Sequence, residues 1–253
     1  MMAGGISLDP NAVAFLVAAG ITDPTITAAV DMLVKTLKSY SLWSKVYAMY
    51  PFVGGTSTTH KFNLKDPRDL DGAYRLIFSG GVTHNANGVT GNAVNGWYNT
   101  KFGTPPMTLG VGGGIYIFNG NNTDTGWDMG NFLGAPNNAI NMSIRDSSTF
   151  GARGLSISTS NISNLNSEGF FGVNREPNDN TGFYSILNST EYFTSAAYTS
   201  TPGEIYGLRL GPFDGYYTNR NHQTSVITQG LTLTERNNLR AVLTTFNVTN
   251  LGR

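Results

Sequence analysis

Few side chains in this sequence could make or break bonds, and they are scattered. The three histidines, His60, His84 and His222, lie far apart, and none has the helical His-Glu-x-x-His spacing of a zinc site. Their plainer role is as polar loop or strand-edge residues. There is no Gly-x-Ser-x-Gly nucleophile elbow and no P-loop. The glycine-rich run Gly110-Val111-Gly112-Gly113-Gly114 lacks the spacing and following helix of a dinucleotide site and reads as a loop before a strand. Glutamates are sparse: Glu168, Glu176, Glu191, Glu204 and Glu235. A glycosidase needs two carboxylates facing one cleft. On a strand that calls for an acid-x-acid pattern, and no Glu-x-Asp or Glu-x-Glu occurs. The chain therefore reads as one without an enzymatic role and without a cofactor.

Binding chemistry is better represented. The run Asp66-Pro67-Arg68-Asp69-Leu70-Asp71-Gly72 contains a fragment of a calcium-loop pattern, with Asp66, Asp69 and Asp71 as oxygen ligands. The alternative is a turn in which Arg68 pairs with a neighbouring Asp. Trp97-Tyr98, Trp127 and Tyr216-Tyr217 flank turns rich in Asn and Gly, with Asn219 and Arg220 beside the second tyrosine pair. Sugar rings stack on aromatic faces and hydrogen-bond to amides, so these residues are candidate glycan contacts. Aromatics at strand ends also serve as core plugs, and that reading stays open.

The elements that must position these groups fall into three parts. Asp9-Pro10 and Asp23-Pro24 are helix starts, with Asp as N-cap and Pro at the first helical position. The first helix covers Asn11 to Ala19 and ends at Gly20; Val13, Phe15, Leu16 and Val17 make it apolar nearly all round. It must be buried, either on its own domain or in another chain. In the second helix Ile26, Val30, Leu33, Val34 and Leu37 form one apolar face. From Lys45 the period changes to two. Ile140, Met142 and Ile144 alternate with Asn141, Ser143 and Arg145, and Tyr74, Leu76 and Phe78 share one strand face.

Further strands are expected over residues 114–118, 155–158, 170–173, 183–187, 205–210 and 224–227. Asp71-Gly72, Asn87-Gly88, Asn95-Gly96, Asn119-Gly120 and Asp214-Gly215 supply the turns between strands. The pattern predicts a mainly β, antiparallel sandwich or jelly roll at 45–253, preceded by a helical hairpin at 1–44 with a flexible tail at 1–8. A C-terminal helix opens on Thr232 and Glu235, a capping box, and presents Leu239, Val242, Leu243 and Phe246 on one face.

Composition bounds the function. Hydrophobic residues make up 40% of the 253, enough for a real core, and only 13% are charged. The formal net charge is zero, which argues against a nucleic-acid partner. Cysteine is absent, so disulfides and thiolate chemistry are excluded. The N-terminus lacks the basic run of a signal peptide, and the apolar run Ala12 to Ala19 is too short to span a bilayer. These features point to a protein made in a cytoplasm without Sec export and without membrane insertion.

Three groups of motifs carry a resemblance. They are Gly20-Ile21-Thr22-Asp23-Pro24-Thr25-Ile26 with Leu42-Trp43-Ser44-Lys45; Tyr50-Pro51-Phe52-Val53-Gly54-Gly55-Thr56 with residues His60 to Asp69; and Tyr217-Thr218-Asn219-Arg220 with residues Gly230 to Glu235 and Leu251-Gly252-Arg253. Together they resemble a module of structural proteins in tailed phages and prophages, especially of Bacteroidota hosts. The final strand and "Gly-Leu-Thr" helix look like the end of concanavalin A-like (laminin-G-type) sandwiches. The resemblance implies a virion component, such as a fibre, spike or decoration subunit on head, neck or tail. It would be made in the host cytoplasm, homotrimeric and bound to other virion proteins through Val13, Phe15, Leu16 and Val17. A host surface glycan is the alternative partner. No catalytic residue carries over.

Overall fold

The structure is a computed structural model describing residues 7–131, 139–199, 203–211 and 215–253. Most of the expected 1–8 tail and the Asp214 half of one expected turn lie outside the described residues. In chain order the elements begin with helices α1 (Pro10–Ala19) and α2 (Pro24–Ser39), then strand β1 (Val46–Tyr50) and the one-turn helix α3 (Ser57–His60). Strands β2 (Ile77–Ser79), β3 (Thr83–Asn85), β4 (Gly88–Thr90), β5 (Trp97–Gly103), β6 (Gly113–Asn119), β7 (Met129–Gly130) and β8 (Ala139–Asp146) follow. Then come β9 (Thr149–Ser156), β10 (Ser160–Ser163), β11 (Gly169–Arg175), β12 (Gly182–Leu187), β13 (Thr190–Ser195), β14 (Glu204–Gly207) and β15 (Asn221–Thr228), and helix α4 (Leu233–Thr244) runs on into a final π-helical segment (Thr245–Asn250).

Both helix starts form as the Asp-Pro pairs dictate. Asp9 accepts from the Asn11 N–H, and Asp23 from those of Thr25 and Ile26. Gly20 ends α1 in the left-handed conformation at φ 65°. At the other end of the chain the Thr232 N–H donates to Glu235 Oε2 at 3.0 Å and opens α4.

The strands form two antiparallel sheets stacked as a sandwich. The first runs β13-β12-β11-β6-β15-β4-β3, with β1 also paired to β15; the second runs β10-β9-β8-β7-β14-β5-β2. Period-two alternation sorts the side chains between two cores. In β6, Ile115 and Ile117 face the second sheet while Tyr116 and Phe118 face the helices. Phe171 and Phe170 in β11, and Ile227 and Val226 in β15, divide the same way. The centre of the first sheet is therefore buried on both faces, which is why β6 and β15 are buried along their whole length while the edge strands β13 and β3 are largely exposed.

The helices share one apolar cluster with the outer face of the first sheet: Phe15, Leu33, Val34, Leu239 and Leu243 pack with Met49, Tyr116, Phe118 and Phe170. Phe15 is 1% exposed, so its burial contributes about 1.5–3 kcal/mol. This corrects two of the expected attachment residues. Phe15 and Leu16 lie in the chain's own core, whereas Val13 and Val17 are 39% and 76% exposed. A strand through Tyr74 is also corrected. Tyr74 sits at φ 61° after a 3-10 turn, which breaks the extended path until Ile77.

Candidate functional site

The apolar cluster beneath the helices contains no residue of the second sheet, so among the described residues that sheet's outer face carries no helical cover. Its inner face is set by Tyr98 and Phe102 in β5, Met142 and Ile144 in β8, Phe150 and Ala152 in β9 and Ile205 in β14. Alternation then turns the neighbours of these residues outward. One outward row runs across the register Asn99, Tyr206, Gly130, Asn141 and Arg153. A second contains Ser143, Gly151 and Asn161.

An open groove of about 390 Å³ lies over this second row, lined by Trp127, Ser143, Gly151, Arg153 and Asn161 among others. Gly151 is its floor. A Cβ there would lie 3.9 Å from Trp127 Cη2 and 3.9 Å from Asn161 Oδ1. The indole and the amide therefore flank the glycine at van der Waals distance, and any larger side chain would fill the gap. Ser143 Oγ donates to the Gly126 carbonyl at 2.7 Å and fixes the backbone just before Trp127. The groove thus offers an aromatic edge, an amide, a hydroxyl and a guanidinium on a rigid sheet, a combination suited to a polyhydroxylated ligand.

Beside the groove, on the β14–β5 side, Trp97 and Tyr206 pack with ring centroids 5.6 Å apart. The Arg209 guanidinium lies between them and Tyr217, with Cζ 4.8, 5.4 and 5.4 Å from the centroids of Trp97, Tyr206 and Tyr217.

Of the aromatic and polar candidates named from sequence, Trp97, Trp127 and Tyr217 reach this face half-buried, and Tyr216 is 47% exposed. Asn219 instead ties loops together. Its Oδ1 accepts from Thr125 Oγ1 at 2.7 Å and its carbonyl from Asn121 Nδ2 at 3.1 Å.

Tyr98 and Arg220 are corrected: both are fully buried in the interior. Arg220 Nη1 pairs with Asp128 Oδ1 at 3.2 Å, each side chain wholly inaccessible, and donates to Thr218 Oγ1 and the Thr125 carbonyl; its Nη2 reaches the carbonyls of Thr123 and Arg145. Tyr98 Oη hydrogen-bonds His222 Nδ1 at 2.9 Å and Ser225 Oγ at 2.8 Å. Burial lowers the His222 pKa, with Asp128 opposing from 3.7 Å. That distance exceeds a hydrogen bond, so the imidazole is neutral and the ion pair belongs to Arg220 and Asp128. This Asp-His-Tyr-Ser set lies inside the sandwich, where its role is to order the strands.

His60 and His84 do meet, with Nδ1 to Nδ1 at 3.1 Å. His60 Nε2 accepts the Gly55 N–H at 3.1 Å, so its proton sits on Nδ1 and is donated to His84. Burial, then the neighbouring His84 and Arg253, push His60 down to about 3, so the pair is neutral.

The acidic loop resolves as the turn alternative. Arg68 holds Asp66 through two hydrogen bonds at 2.7 and 2.5 Å and keeps its carboxyl below the usual range. Lys61 and Arg75 hold Asp69, and Arg75 also holds Asp71. The three carboxylates are each engaged by a cation, Asp69 and Asp71 sharing Arg75. Among the described residues no group of three or more His, Cys, Asp or Glu could hold a metal. Sequence reasoning missed Tyr206, Arg209, Gly151 and Asn161. The alternation it found in β8 was the signal that marks their face.

No family model and no curated protein matches the sequence. Solved structures do match. Trypanosoma rangeli sialidase in complex with sialic acid aligns at 9% identity and TM-score 0.52, covering 88% of this chain and 39% of that one. A mutant of the same sialidase displaying trans-sialidase activity gives the same values. Domain 4 of AbnA, a GH43 extracellular arabinanase from Geobacillus stearothermophilus, in complex with arabinotriose, aligns at 12% identity and TM-score 0.49, covering 78% of this chain and 98% of that one. The chain thus spans about two fifths of the sialidase's length. The expectation of a chain without an enzymatic role is corrected by these matches. A protein named as a sialidase contains this fold over part of its length, so the sandwich does not exclude an enzymatic role. What the likeness establishes is the architecture: a mainly β sandwich of two antiparallel sheets with helices at both termini.

Proposed function

We propose that this chain is a glycan-binding β-sandwich whose binding surface is the outer face of the second sheet. The observation that carries the reading is the Trp127 indole set against Gly151, flanked by Ser143 and Asn161 in an open groove on the sheet face that the helices leave bare. A sugar ring on the indole would direct its hydroxyls to the amide, the serine and Arg153. The test is a glycan array probed with the chain in multivalent form, because weak single sites gain from avidity. Trp127→Ala and Gly151→Phe serve as variants. Loss of array binding in both, with unfolding temperature unchanged, is the expected result. Binding that survives both variants overturns the placement, and an array blank with wild-type protein overturns the function. Analysis of the same incubations for released sugar reports any cleavage.

A second reading, attachment to a larger particle as the phage-appendage resemblance implies, has one observation in its favour. Val13 and Val17, one turn apart on α1, are exposed beside an apolar depression of about 340 Å³ that also includes Leu8 and Ile21. This face lies across the molecule from the groove. Val13→Asp with Val17→Asp should leave the chain folded and abolish its incorporation into particles; incorporation at the wild-type level defeats the reading.

A further inference from the structure

Arg209 differs from the other deeply buried arginines of this chain. Arg175 donates to the carbonyls of Gly154, Asp179 and Ala196. Arg220 pairs with Asp128, and Arg236 with Glu176 and Glu191. Each gives most of its donors to protein acceptors, as burial of a guanidinium requires; Arg220 leaves its Nε without a partner but engages both Nη atoms. Arg209 is 4% exposed, and its Nε is buried with no hydrogen-bond partner. Among the described residues no carboxylate or carbonyl accepts from its guanidinium, whose close neighbours are the rings of Trp97, Tyr206 and Tyr217. Glu204 accepts from Asn99 Nδ2 at 2.5 Å, faces Lys101 Nζ at 3.7 Å and also acts on the Tyr206 hydroxyl, so it belongs to the surroundings of this cluster without pairing to Arg209.

A buried cation that among the described residues meets only ring faces, at the edge of an open sheet face, is poised for an anion from outside. We infer that Arg209 and its three aromatic walls form an acid-specific subsite, so that the glycan bound on this face carries a carboxylate. This deepens the glycan-binding reading and rests on it. The planar guanidinium fork pairs with a planar carboxylate through two parallel hydrogen bonds. The flanking rings would take the apolar face of the same sugar once they part to admit its carboxylate.

The test uses the full chain on an array that places uronic-acid oligosaccharides beside their carboxyl-reduced and sulfated counterparts, followed by calorimetry on the best acid and reduced pair. The expected result is at least a tenfold preference for the acid over the reduced form, weakened by salt. Arg209→Gln should abolish that preference and Arg209→Lys should keep part of it. In wild-type protein the Arg209 Nε–H resonance should shift during titration with the acid, a readout independent of any variant's folding. Equal binding of acid and reduced forms overturns the acid subsite while leaving glycan binding intact. A preference for sulfate over carboxylate, or one that survives in folded Arg209→Gln, also overturns it. Failure of every glycan to bind removes both readings together.

Discussion

Replacing Arg220 with Met keeps the volume of the side chain and removes its charge. The consequence follows from what surrounds it. Asp128 would lose its ion-pair partner at a position with no solvent access. The carbonyls of Thr123, Thr125 and Arg145 would lose donors in the same step. Breaking one side of a buried pair costs about 3–5 kcal/mol, because the remaining charge is left desolvated. For a chain of this size that corresponds to a fall in unfolding temperature of roughly 6–20 °C.

The partner substitution separates charge from shape. In Arg220→Met with Asp128→Asn, no buried charge remains, and an amide oxygen can still accept the Ile144 N–H that Asp128 Oδ2 accepts at 2.6 Å. The double variant should recover about half or more of the loss. The assay is equilibrium denaturation of the two single variants and the double, read as a cycle. Tryptophan fluorescence is followed in parallel, since Trp127 adjoins Asp128. A single-variant loss below about 1 kcal/mol, or a double variant as unstable as the sum of the singles, would refute an interior ion pair at this position.

Three further outcomes are expected. Trp127→Ala should weaken glycan binding by about tenfold or more, roughly 1.4 kcal/mol, and Gly151→Phe should abolish it by filling the groove, both measured by calorimetry. Stability should fall as pH drops below 6.5. His60 is held neutral in the fold with its pKa pushed down to about 3, so between pH 6.5 and 3 the unfolded chain binds the extra proton; the stability is fully present above 6.5 and lost toward 3, a loss of a few kcal/mol that His60→Asn should flatten in pH-dependent denaturation. Calcium or a chelator should leave the unfolding temperature unchanged, because Asp66, Asp69 and Asp71 are already engaged by Arg68, Lys61 and Arg75; a calcium-dependent rise in calorimetry would show that those pairs yield to the ion.

Much of the architecture was legible because it rests on local rules. The Asp-Pro helix starts, the Thr232–Glu235 capping box and the alternation of residues 140–145 each specify their element without help from the rest of the chain. Which face of α1 is buried was not legible. An all-apolar helix has no polar side to mark solvent, so only the packing of Phe15 and Leu16 on the chain's own core decides it. The strand read through Tyr74 failed for a different reason. Its alternation is genuine, but the preceding 3-10 turn sends Tyr74 into the left-handed region, and tertiary contacts override the pattern.

The site was half legible, and the half that was missed follows from one geometric fact. Adjacent residues on a strand face opposite sides. Taking Trp97 and Tyr98 as a pair put one outward-facing residue and one core residue into the same set. The outer-face partner of Trp97 is Tyr206, a cross-strand neighbour that sequence distance conceals. The same fact gives the mistaken residues a purpose. Trp127 and Asp128 are consecutive, and Asp128 is locked inward by Arg220 while Trp127 is left at the groove. Arg220 is therefore a positioning residue for the surface it was expected to line. The interior ion pair fixes the loop whose next side chain lines the proposed groove, so on that reading Arg220→Met should impair glycan affinity even at temperatures where the variant remains fully folded. Unchanged affinity in that folded variant would show that Ser143 and the Gly126 backbone hold Trp127 without help from the interior.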